Sequence, residues 1–423
     1  MSDVKNDTLI DHAGQVRAGE EVDLAKVTAY LKAQGLDLQG EPELQQFPGG
    51  ASNLTYLVRY ANRDLILRRP PFGHIAKSAH DVVREAVIMR QLKPVYPKVP
   101  EIFAICEDNE VIGAPFYVME RLVGVIPRQN LQPELGLDEA KTRQLCLNVL
   151  DTLIDLHKLD PQAAGLDSLG KGEGYVARQV EGWTKRYRAA RTDDVGDFEV
   201  VMQWLHDKQP QQEVAISLIH NDFRFDNVVL DVNDPLKVIG VLDWEMATLG
   251  DPLMDLGSAL AYWVQADDDK FMQGSRRQPT NAPGMLTREE VIRYYGEKTG
   301  FSVANFDFPN SAITCWTSAS CASTSATSPT TNAAEAWTGI EDARVTFSKP
   351  IIVWYCRTRL FFGSFRMATR AALSRSCSVA VTGTRPMNSG IIPNFIRSSG
   401  STIASSSPTL RSSRCVIFAP NPS

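Results

Sequence analysis

Nowhere does the sequence hold a run of about eighteen consecutive apolar residues, so no helix able to span a bilayer is expected. The opening stretch, MSDVKNDTLIDHAGQ, lacks the apolar centre of a secretion signal, which makes the cytoplasm the expected compartment. Positive charge is not in surplus either. The formal net charge is −6, which argues against a nucleic-acid partner held by a basic surface. The seven cysteines form no C-x-x-C pair and no Cys/His cluster, so they read as free thiols rather than zinc ligands or a disulfide framework.

Two further absences divide the chain. No histidine follows His220, and no carboxylate follows Asp342. From Ser311 onward, eleven Lys and Arg stand against three Asp and Glu, and 35 of those 113 residues are Ser or Thr. Residues 1–310 hold 33 basic and 47 acidic groups, a net −14. So abrupt a switch reads as an out-of-frame, low-complexity tail over 311–423 that buries little core and stays outside the native fold. A genuine but unusual extension is the alternative.

Over its whole length the chain has the make-up of a globular protein, with 43% hydrophobic and 22% charged residues. At 423 residues it is too long for one ordinary core, so two or three lobes are expected. Residues 22–34 carry apolar positions at helical spacing and stop at Gly35. The period then changes: FPGGASNLTYLVRYANRDLILRRPP predicts strand, Gly-rich turn, strand, tight turn at 61–64, strand. A helix is predicted from about Ser78 to Leu92, and two more strands within EIFAICE and APFYVME. From Asp138 the pattern is mainly helical, with Leu145, Val149, Leu153 and Leu156 on one face. Helices are also predicted at 252–264, where Asp251 caps the start, and at 287–298, which Thr287 and Glu290 open as a capping box.

The chemistry concentrates in HNDFRFDN, residues 220–227, and in VLDWE, which contains Asp243. A strand delivers Asp222 to a loop. Asn227 follows five residues later and opens the next strand, and sixteen residues beyond it a further apolar strand ends in Asp243. Phosphoryl transfer needs such a set: a carboxylate beside the accepting hydroxyl, and an amide oxygen with a second carboxylate to hold Mg²⁺ against phosphates.

With these spacings the sequence resembles the aminoglycoside phosphotransferase and choline-kinase-like family, whose fold is that of protein kinases. The resemblance runs over about residues 44–310 and is nearest to the kinase-like N-terminal part of certain acyl-CoA dehydrogenase family proteins. It implies an α+β, two-lobed fold: an antiparallel-sheet lobe with one helix over 1–121, then a mainly helical catalytic lobe over 122–310. His220, Asp222 and Asn227 match the family's H-x-D-x-x-x-x-N motif, with Asp222 and His220 as catalytic residues. Asn227 and Asp243 are the implied Mg²⁺ ligands. Gly49, Gly50, Ser52 and Asn53 stand where the phosphate-covering loop belongs, although GG-x-S-N is also an ordinary hairpin turn. Arg68 is the implied cation for the ATP phosphates, in place of lysine, with Glu85 as its partner. Met119, Glu120 and Leu122 correspond to the hinge that holds adenine. Asp255 matches an acidic position that braces the catalytic loop. His157, Trp244 and Trp263 read as packing residues.

Only eleven residues separate Asp243 from Asp255, and no A-P-E follows, which leaves no room for a peptide-binding platform. The expected reaction is therefore transfer of the ATP γ-phosphate to a hydroxyl of a small molecule, with hydroxyacyl-CoA suggested by the subgroup. A nucleotide-binding pseudoenzyme or interaction module is the alternative.

Overall fold

A computed structural model of the chain describes residues 8–48, 53–72, 81–191, 196–304 and 306–308. Gly49, Gly50 and Ser52 of the expected phosphate loop lie outside the described residues, as does the whole of 311–423. Among the described residues, no helix is long and apolar enough to cross a membrane.

The first half is built on a five-stranded antiparallel sheet. Its strands are β1 (Glu43–Gln46), β2 (Leu54–Arg59), β3 (Asp64–Arg69), β4 (Ile102–Cys106) and β5 (Phe116–Glu120), in the order β1-β2-β3-β5-β4. Helix α1 (Leu24–Ala33) starts at Asp23, whose side chain accepts from the Lys26 amide, and Gly35 follows its end at φ 89°. Helix α2 (Val82–Leu92) is capped in the same way by Asp81 on the Arg84 amide. Side chains of a strand alternate between the two faces of a sheet. Here Tyr56, Val58, Leu65, Leu67, Phe116 and Val118 pack with Val27 and Leu31 of α1. Leu57, Ile66, Tyr117 and Met119 pack on the opposite side with Val82, Ala86 and Met89 of α2. The same alternation separates two adjacent arginines. Arg68 follows Ile66 toward α2, whereas Arg69 is buried on the other face, bonded to the carbonyls of Pro70 and Ile112.

The second half is mainly helical. Helix α3 (Glu139–His157), capped by Asp138, buries Leu145, Val149, Leu153 and Leu156, the face predicted from its spacing. Helices α4 (Tyr175–Ala190) and α5 (Glu199–Lys208) follow. Two short antiparallel ribbons come next, β6 (Ser217–Ile219) with β9 (Thr248–Gly250), and β7 (Val228–Leu230) with β8 (Val238–Val241). Helices α6 (Pro252–Ala261), α7 (Lys270–Ser275) and α8 (Arg288–Thr299) complete the described fold. Thr287 and Glu290 do form the capping box of α8, and Asp251 caps α6. Trp244 and Trp263 are core residues, their indole N–H groups bonded to the carbonyls of Val241 and Leu286.

Candidate active site

The two ribbons present one loop, residues 220–227, beside the end of β8, and the polar residues of the sequence motif meet there. Asn227 closes a single 3-10 turn, Phe225–Asn227, ahead of β7. Its Nδ2 donates to the Asp222 carbonyl at 2.8 Å and to Asp222 Oδ2 at 3.1 Å. Both amide donors are thus spent on Asp222, which leaves Oδ1 as the acceptor of the amide. The Asn227 carbonyl in turn accepts from the Leu242 amide, one residue before Asp243. Arg224 Nη2 stands 3.3 Å from Asp222 Oδ2, while its Nε donates to Asp226 and its guanidinium lies over the Tyr262 ring.

His220 does not face the reacting carboxylate from solvent. It is fully buried against Trp244, its Nε2 bonded to the Leu242 carbonyl at 3.0 Å and its Nδ1 to the Asp222 amide at 3.2 Å. A carbonyl can only accept and an amide N–H can only donate, so these partners specify a neutral ring protonated on Nε2. Burial also lowers its pKa, against the pull of Asp255 and Asp243. Both ring nitrogens of His220 are committed to the backbone, so in this structure the ring supports the loop that carries Asp222. The expected outcome in ¹⁵N-resolved NMR is a single Nε2–H tautomer that protonates only below the ordinary histidine range; a His220 ring that protonates at or above that range would contradict it.

Asp255 on α6 holds the loop from beneath. Its carboxylate is fully buried and accepts from the His220 amide (2.6 Å), the Asn221 amide (2.8 Å) and His157 Nε2 (3.0 Å). His157 bonds the Tyr295 hydroxyl with its other nitrogen. The packing role read for His157 is thus a link in a buried polar chain. Asn221 adopts φ 64°, and its side chain and carbonyl are tied to Tyr175, Met246 and Ser258.

Opposite this loop, Arg68 Nη1 donates to Glu85 Oε1 at 2.7 Å and Nη2 to Asp243 Oδ1 at 3.2 Å. The predicted cation, its acidic partner and the second carboxylate are brought together. Burial pushes the Glu85 carboxyl up to about 7, against the pull of Arg68. The Asp243 carboxylate stays about a third exposed, open to a ligand. Its backbone lies in the left-handed region, φ 69° and ψ 61°, a conformation that costs a non-glycine residue about 1–3 kcal/mol and recurs at functional sites.

The match to family models now decides the assignment. Residues 43–290 fit the model of the phosphotransferase enzyme family, APH. The chain belongs to this family. Acyl-CoA dehydrogenase family member 10 of Mus musculus is 35% identical over 395 residues, covering 92% of this chain and 36% of that protein. Acyl-CoA dehydrogenase family member 11 of Homo sapiens is 33% identical over 287 residues, covering 67% of this chain and again 36% of the relative. The chain spans about a third of the length of these curated relatives. Among solved structures, a Ralstonia eutropha protein assigned to the aminoglycoside phosphotransferases superposes with a TM-score of 0.61 at 26% identity. That match covers 74% of this chain and 94% of the other. Choline kinase from Cryptosporidium parvum gives a TM-score of 0.52 at 11% identity, over 83% of this chain and 97% of its own, a likeness of fold alone. As a member of the APH family with the kinase-like fold, this chain brings His220, Asp222 and Asn227 together beside the strand that ends at Asp243.

Other expected residues of this APH-family site fall differently. The Asn53 side chain is buried and donates to Glu245 Oε2 at 3.1 Å, which ties the start of β2 to the turn after Asp243. Met119 and Glu120 are paired within the sheet, Met119 with Ile66 and Ile102, and the Glu120 amide with the Glu101 carbonyl. The Glu120 carboxylate accepts from Lys93 and the Glu101 amide. Leu122 is the first named hinge residue beyond the strand, and it rests on Gly240, where a Cβ would come 2.2 Å from its Cδ1. Arg84 and Glu245 were not anticipated. Arg84 bonds main-chain carbonyls, and such acceptors leave no signature in sequence.

Proposed function

We propose that this chain transfers the γ-phosphate of ATP to a hydroxyl group of a small molecule. The observation that carries this reading is the convergence of Asp222, Asn227 and Asp243, with Arg68 reaching Asp243 from the sheet. Asp222 would orient the acceptor hydroxyl and take its proton as the bond to phosphorus forms. Arg68 would exchange part of its contact with Asp243 for phosphate oxygens, retaining Glu85. The adenine would sit against the segment from Met119 to Leu122.

The donor set suits magnesium. Among the described residues, no group of three or more His, Cys, Asp or Glu side chains is placed to hold a metal alone. Mg²⁺ is ordinarily held by one or two carboxylates together with substrate phosphates and water. Asp243 and Asn227 Oδ1 would hold the ion, which supplies charge neutralisation between the phosphates when bound.

For the acceptor, the order of expectation is a hydroxyacyl-CoA, then aminoglycosides and other hydroxylated metabolites, in keeping with the two acyl-CoA dehydrogenase family relatives. Intact Asp222, Asn227 and Asp243 favour this over a pseudoenzyme. A coupled ADP-release screen across these classes tests it. Turnover on a hydroxylated small molecule is expected, and turnover on protein substrates alone would overturn the reading.

A further inference from the structure

We infer that Arg84 is a positioning residue for Asp243, acting through the backbone of the turn that follows it. The inference rests on the Mg²⁺-dependent reading above and deepens it. Asp243 opens a single 3-10 turn, Trp244–Met246. The last carbonyls of such a turn have no partner within it. Arg84 supplies one: its Nη1 donates to the Glu245 carbonyl at 3.2 Å and its Nη2 to the Ala247 carbonyl at 2.5 Å. The next residue of the same helix, Glu85, holds Arg68, and Arg68 holds the Asp243 carboxylate.

Two consecutive residues of α2 therefore bear on Asp243 indirectly, Glu85 through Arg68 and the carboxylate, Arg84 through the main chain of the turn that follows. Asn53 adds a third tie from the sheet, to the Glu245 side chain. Such ties matter because Asp243 sits in a costly backbone conformation, which persists only when its surroundings over-determine it. Glu85 and Arg68 bear on the carboxylate and are charged groups that any cation would feel directly. Arg84 differs, since its hydrogen bonds go to main-chain carbonyls of the turn rather than to the Asp243 carboxylate. Its loss should leave the ligand atoms in place chemically while letting the turn relax, so that Asp243 spends less time aligned for the ion. An arginine fork can bond both carbonyls at once; lysine offers a single charged centre.

ATP binding to the full chain, followed by calorimetry across a Mg²⁺ titration, tests this with Arg84→Ala and Arg84→Lys. ATP affinity without Mg²⁺ should stay within about twofold of wild type. The Mg²⁺ concentration for half-maximal enhancement should rise about tenfold in Arg84→Ala and by less in Arg84→Lys, the size of coupling expected of neighbours in one network. In an Asp243→Ala background, Arg84→Ala should add no further shift. Unchanged Mg²⁺ dependence in both Arg84 variants, or an equal loss of affinity with and without Mg²⁺, would overturn the inference. A wild-type chain whose ATP binding ignores Mg²⁺, or an Asp243→Ala chain with wild-type Mg²⁺ dependence, would instead overturn the underlying reading and the inference with it.

Discussion

Asp222→Asn is expected to bind nucleotide as the wild type does and to transfer phosphoryl more slowly by a factor on the order of 10² or more. The substitution keeps the shape of the side chain, and its carbonyl oxygen can still accept from Asn227 and Arg224, the two donors that face Oδ2. What disappears is the group proposed to take the acceptor proton. In the proposed mechanism the metal and phosphate contacts belong to other residues, so the loss should appear in the rate of the chemical step and hardly in nucleotide affinity. Single-turnover kinetics with an accepted substrate separate the two. A variant with wild-type turnover would remove Asp222 from the reaction.

The largest effect on stability is expected from Asp255→Ala. The carboxylate is wholly buried and serves three donors, the amides of His220 and Asn221 and the ring of His157. Removing one member of a buried charged network costs about 3–5 kcal/mol, because the remaining groups lose their partner without regaining water. Asp255→Asn should cost less, since one oxygen remains to accept. The pH dependence has a definite sign. Burial alone would raise the Asp255 carboxyl, but the hydrogen bond and charge of His157, with His220, hold it below its ordinary value. Its contribution is then complete above the unfolded-state value of about 4 and fades as pH falls through the lower folded value. Denaturant melts should show the gap between wild type and Asp255→Asn narrowing on acidification below about pH 4. A gap that widens there would contradict the assignment.

How much of this site could be read in the sequence depended on what carried the signal. His220, Asp222, Asn227 and Asp243 stood out because short strands deliver them at fixed spacing, and the structure keeps that order as β6, loop, β7 and β8. The partnership of Arg68 with Glu85 was legible only through the family resemblance, and the structure joins the two by an ion pair between β3 and the first turn of α2. His220 was read as catalytic for its place in the motif, yet its two nitrogens serve backbone groups, which only coordinates reveal. Asn53 was read with its glycine-rich neighbours, whereas its side chain answers to Glu245, 192 residues away in sequence. Strand β9 escaped notice because three residues ending in Gly250 are too few to show a period. Arg84 looked like any charged residue on a helix until its carbonyl partners were in view.

The most direct test of the whole account is ATP calorimetry with and without Mg²⁺ on the wild type, Asn227→Ala and Asp243→Ala. The account predicts binding that Mg²⁺ strengthens in the wild type, and loss of that enhancement in both variants, because Asn227 and Asp243 are the residues proposed to hold the ion. Equal Mg²⁺-dependent affinity in all three proteins would contradict it.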